Sequence, residues 1–202
     1  MPIGTPAPPL QTRNSHGLDQ FCATLGERPG LLILDLAGAS QSTVSFITGY
    51  GHRLYSDDFL HQLDHTFGAG DFYENQQNPL LVAKFLEVAL SFPEGHFDGV
   101  LVWDTLQFLA PPLLDTVMER LHRILRPGAS LLAFFHTEER VDTIPIYSYR
   151  IADQRSVGLV DRGRRRPSQL FNNRALEKLF REFQSVKFFL TRDHLREVIV
   201  RR

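Results

Sequence analysis

Three carboxylates of this 202-residue chain stand where a site could form. Asp35 follows the apolar run Leu31-Leu32-Ile33-Leu34, Asp58 comes 23 residues later, and Asp104 directly follows Val100-Leu101-Val102-Trp103. Acids at the carboxyl ends of buried strands face the crevice where open α/β sheets bind ligands, and about 20 residues suit one strand–helix–strand unit before a ribose-binding acid. Plainer roles stay open: Asp35 can satisfy backbone donors at a strand end, and Asp58 can cap a helix. His61 and His65 share a helical face near Asp57, Asp58 and Asp64. They read as a two-histidine metal site or as an exposed helix with an acidic first turn, and the second is favoured because no general-base glutamate accompanies the pair. No metal is expected. Arg162, Arg164, Arg165 and Arg166 could grip phosphate or carboxylate through the guanidinium fork, or coat a solvated loop. No Ser–His–Asp, Cys–His or phosphate-loop pattern occurs, so the catalytic residues are unassigned.

The elements that must hold these residues alternate. Leu31–Leu36 is a continuous apolar run of strand length, which predicts a strand covered on both faces. A helix is predicted over 40–50 with Gly51 as its stop, then an edge-like strand over 52–56 and a helix from Asp57 or Asp58 to Phe67. Leu80–Leu90 has helical spacing, and a parallel sheet of this kind should place a strand nearby that the sequence does not reveal. Phe97–Trp103 and Ala129–His136 predict strands around a helix over 111–125, opened by prolines and closed by Arg126-Pro127-Gly128. The stretch 137–169 is polar and arginine-rich and predicts no element. A helix over 175–183 and strands over 186–190 and 197–200 complete a doubly wound, mostly parallel α/β sheet with an antiparallel C-terminal hairpin.

With 43% hydrophobic and 22% charged residues, the chain has ordinary globular composition. Its net charge of -1 gives no general attraction to nucleic acid or anionic membrane, so no nucleic-acid partner is expected. The single Cys22 excludes an intrachain disulfide and a multi-thiolate zinc site. Residues 1–15 read as a flexible proline-rich arm ahead of a single domain over 16–202. Met1–Leu10 lacks a basic start and an apolar stretch, and no run approaches the roughly 20 residues of a membrane span. A cytoplasmic location is expected.

Three segments together resemble the class I S-adenosylmethionine-dependent methyltransferases of the type 11-like group. Leu121–Ala129 resembles the family's "rvLkPGG" turn, Phe97–Leu106 its "FDlVl…dvL" strand and loop, and Leu34–Ser40 occupies the place of its "LDlGcGtG" loop. The resemblance implies a Rossmann-like methyltransferase fold, S-adenosyl-L-methionine as cofactor and a small-molecule acceptor. It places the cofactor on Asp35, Ala37, Gly38, Ser40, Asp58, Glu87 and Asp104, with His136, Tyr147, Tyr149 and Arg164 near the same edge as candidates for the substrate.

The chain departs from that pattern in two places. Ala37, Ala39 and Gln41 stand at the loop's glycine positions, where a missing Cβ would let backbone approach a ligand, and only the intervening Gly38 is a glycine. The adenine-side acid falls on Leu86, with Glu87 adjacent. Three readings follow: a small-molecule methyltransferase, a catalytically silent methyltransferase-like module acting as a binding or scaffold subunit with a protein partner, or a related sheet holding another nucleotide through Asp58.

Overall fold

The computed structural model describes residues 11–26, 28–137, 141–191 and 194–202. In chain order the elements are β1 (Gln11–Asn14), α1 (His16–Leu25), β2 (Leu32–Asp35), α2 (Gln41–Gly49), β3 (Arg53–Ser56), α3 (Phe59–Phe67), α4 (Phe72–Asn75) and α5 (Pro79–Val88). Then come β4 (Phe97–Trp103), a 3₁₀ turn (Thr105–Phe108), α6 (Pro111–Ile124), β5 (Leu125–His136), β6 (Ile144–Asp153), β7 (Ser156–Arg165), α7 (Asn173–Leu179), β8 (Ser185–Leu190) and β9 (Leu195–Arg201).

Six strands form the central sheet in the order β3-β2-β4-β5-β9-β8. The first four run parallel, and β9 and β8 close it antiparallel. Every residue of β4 is buried, because α3, α5, α6 and α7 pack one face while α1 and α2 pack the other. Each large apolar side chain so covered contributes about 1.5–3 kcal/mol. Helix α1 lies close: a Cβ on Gly99 would sit 2.8 Å from the Phe21 ring, so β4 needs glycine there. The helix starts follow their caps, with Ser40 accepting from the Thr43 amide, Asp58 from His61 and Asn78 from Leu80.

Three sequence expectations change. Among the described residues no strand lies between β3 and β4, so β3 is the edge and α4 and α5 take the place of the strand sought near residue 80. Pro127-Gly128 lies inside β5, with Gly128 at φ 81, instead of ahead of the strand. The polar stretch after β5 contains a long hairpin, β6–β7, which joins β1 in a second sheet of order β1-β7-β6. Gln11–Asn14 of the expected arm thus pairs with 156–159, while residues 1–10 lie outside the described residues.

Candidate functional site

The parallel strand order reverses between β2 and β4, and the carboxyl ends of such neighbouring strands frame the ligand crevice of doubly wound sheets. Asp35 ends β2 and is fully buried. Trp103 ends β4 at φ 59, a left-handed conformation that costs a non-glycine residue about 1–3 kcal/mol. Its indole Nε1 donates to Asp35 Oδ1 at 2.6 Å, directly across the reversal. The Ala37 amide donates to the same oxygen at 3.0 Å, and Asp35 Oδ2 is buried without a partner. Burial pushes the Asp35 carboxyl up to about 7, against the opposing pull of the two hydrogen bonds.

The hairpin completes the arrangement from the α1–α2 face. Tyr149 of β6 stacks on Trp103 with ring centroids 5.0 Å apart and planes 1° from parallel, and Phe134 meets both rings edge-on. The Tyr149 hydroxyl donates to Asp104 Oδ2 at 3.0 Å. Burial and the neighbouring Asp104 hold the Tyr149 hydroxyl well above its usual range. His136, at the end of β5, turns a buried Nε2 toward the same Asp104 oxygen at 3.6 Å, while Asp104 Oδ1 has no partner. The Ile151 amide donates to Thr43 Oγ1 at 3.0 Å and ties the hairpin to α2.

The loop between β2 and α2 is bound to its own neighbours. Gly38 has φ 83, and its amide donates to the Asp57 carbonyl at 3.0 Å. A Cβ there would lie 3.3 Å from the Asp58 carboxylate, so this glycine accommodates the adjacent strand end. Ser40 caps α2. Gln41 is exposed and reaches along the helix to Ser45, clear of the crevice. Asp58 caps α3 and accepts both 3.2 Å contacts of Arg162. What remains open beside Ala37, Gly38, Ala39 and Ser40 is a cavity of about 240 Å³, roofed by Ser148, Tyr149, Arg150 and Arg162.

Of the residues picked from sequence, Asp35, Ala37, Gly38, Ser40, Asp58 and Asp104 gather around the reversal. Glu87 does not: it is exposed on α5 and lines none of this crevice. His136, Tyr147, Tyr149 and Arg164 converge on a second cavity, of about 340 Å³, on the other side of Tyr149. The arginines divide. Arg162 pairs with Asp58 and Arg165 with Asp64, whereas Arg164 bonds Thr143. His61 and His65 stack on the outside of α3, and no metal-binding group of three or more His, Cys, Asp or Glu occurs among the described residues. Two contributors escaped sequence reading: Trp103 as the donor to Asp35, and Arg162 as the cation on Asp58.

The strand order and the crevice define a doubly wound, mostly parallel α/β sheet. Residues 37–133 match the model of the methyltransferase domain, which spans the loop after β2 through most of β5. That segment, a little under half of the chain, is similar to the class I S-adenosylmethionine-dependent methyltransferases. Solved structures agree on the fold. A protein of Pyrococcus horikoshii is 15% identical over 92% of this chain and 87% of its own, with a TM-score of 0.52. A TehB-like S-adenosylmethionine-dependent methyltransferase from Corynebacterium glutamicum is 11% identical over 94% and 89%, at 0.50. Phosphoethanolamine N-methyltransferase 2 of Haemonchus contortus, solved with S-adenosyl-L-methionine, is 12% identical at 0.52 over 92% of this chain but only 52% of that enzyme. At such identity the likeness carries the fold alone. A search of curated proteins finds no match. Among the described residues no helix is long and apolar enough to cross a membrane.

Proposed function

We propose that this chain is a small-molecule binding module built on the methyltransferase fold, with the cofactor crevice taken up by its own side chains. The observation that carries the reading is the Trp103 bridge to Asp35, sealed by the Tyr149 stack. S-adenosylmethionine does not fit the residues present. Its approach to the strand reversal is filled by two aromatic rings, and the Gly38 amide and the Asp58 carboxylate already have protein partners. The remaining space, about 240 Å³, falls below the roughly 300–1,000 Å³ of ligand pockets. A cytoplasmic setting suits a chain whose single cysteine is buried, with its thiol pushed up to about 12 by that burial.

Titration calorimetry of the full chain with S-adenosylmethionine and S-adenosylhomocysteine tests this. The expected result is no heat up to about 1 mM ligand, and a Kd in the micromolar range overturns the reading.

The second reading is a methyltransferase acting on a small molecule, and the family match over 37–133 favours it. It requires Arg162 to release Asp58 and Tyr149 to leave Trp103, so that Asp35, Ala37, Gly38, Ser40, Asp58 and Asp104 can meet the cofactor. Micromolar binding in the same calorimetry selects it.

A further inference from the structure

We propose that the cavity beyond Tyr149 binds a small organic carboxylate with an apolar body. This rests on the binding-module reading only in that Tyr149 stays stacked on Trp103 and so forms a fixed wall. The cavity, about 340 Å³, lies between β1, the end of β5 and the β6–β7 hairpin. That volume suits a ligand of modest size.

Its polar side is cationic. Two guanidiniums, Arg13 and Arg164, line it beside the imidazoles of His136 and His194, and among the described residues no carboxylate does. Arg13 is already balanced by the buried Glu197 at 2.9 Å. Arg164 is different: it is exposed and its hydrogen-bond partners among the described residues, Thr143 Oγ1 at 3.1 Å and the Thr143 carbonyl at 2.6 Å, are neutral. A guanidinium with no acidic partner among the described residues, pinned by two bonds at a cavity, is preorganised for an anion. His136 lines the same wall, with Asp104 Oδ2 lying 3.6 Å from its Nε2. Apolar walls from Ile144 and Leu195 suit a hydrocarbon or aromatic body. The single guanidinium of the lining without a carboxylate partner among the described residues matches a monoanion, with the imidazoles of His136 and His194 as further hydrogen-bonding groups, whereas a phosphate dianion asks for more cationic donors.

The molecule carries its own reporter, since the chain's single tryptophan stacks on the residue that forms the cavity wall. Benzoate is the probe, with benzamide as its neutral counterpart and inorganic phosphate as the competing anion. Titration of the full chain is followed by tryptophan fluorescence and by the Trp103 indole ¹H–¹⁵N resonance. Benzoate should give a saturable change with a Kd of about 1 mM or tighter, and benzamide should give none. Arg164→Gln, an exposed substitution, should keep the wild-type melting temperature and lose about tenfold or more in benzoate affinity. Absence of a saturable benzoate response, equal binding of benzamide, or displacement by phosphate at equal concentration overturns the carboxylate site. S-adenosylhomocysteine calorimetry is independent of all three, so the carboxylate site and the closed crevice can fail separately.

Discussion

Both ends of the central sheet bury a carboxylate, and the two are treated differently. At the amino end Asp98 accepts from Arg28 and Arg126, each at 2.7 Å, and from the Leu32 amide at 2.9 Å. Both its oxygens are satisfied, and the acid simply fastens β4 to β2 and β5. At the carboxyl end Asp35 and Asp104 each keep one buried oxygen without a partner, and among the described residues no arginine pairs with either. Buried polar atoms are nearly always paired, so two orphans together mark a place where structure alone does not account for the residues. One end is a joint; the other leaves its two acids incompletely paired.

The sharpest way to break this comparison is pH. Burial holds the folded Asp35 carboxyl near 7, above the unfolded value of 3.8. Stability linked to its proton is therefore complete below about pH 4 and is lost as pH climbs through about 7. Asp35→Asn carries no such proton. Relative to it, the wild type should lose up to ~3 kcal/mol between pH 4.5 and 8 in urea unfolding, and parallel curves would contradict the burial argument. Next in size is Asp98→Ala, which should cost about 2–3 kcal/mol at neutral pH in the same assay. That is less than a fully buried broken pair, because Arg28 and Arg126 are 66% and 42% exposed and rehydrate. A loss under ~0.5 kcal/mol would show that the amino end is no joint. The smallest effect belongs to Arg162→Ala, whose partially exposed pair with Asp58 should move stability by less than ~0.5 kcal/mol. With Trp103 still across the reversal, the variant should remain without S-adenosylhomocysteine heat. Heat gained by this variant alone would locate the obstruction in Arg162 instead of the aromatic stack.

Much of the sheet was legible because its strands are short apolar runs and its helices carry local caps, signals that depend on a few neighbouring residues. The hairpin was not. Ile144 and Ile146 alternate on one face, but the register shift between Pro145 and Tyr147 moves Tyr149 and Ile151 onto the buried side, which breaks the period of two. The arginines of β7 then made the stretch look solvated, although Arg162 and Arg165 each meet an acid about a hundred residues earlier in the chain. Pairing at that distance leaves no local trace. The same holds for Trp103: its burial was expected, whereas its bond to Asp35 depends on a left-handed backbone turn at the end of β4. Glu87 was chosen by offset along the sequence, and the absence of a strand between β3 and β4 removes the geometry that offset assumed.

The attachment of β1 and α1 has a consequence for how the chain is made. Glu197 in β9 takes the Gly17 amide, the Ser15 hydroxyl and the Arg13 guanidinium, partners lying at least 180 residues earlier. At about 5–20 residues per second, a ribosome needs roughly ten to forty seconds to deliver that anchor after the first helix has emerged. Throughout that interval Leu18, Phe21 and Leu25 have no finished sheet to cover them. The nascent chain therefore passes through a stage with a bare apolar helix, the kind of surface that chaperones hold and that aggregation exploits.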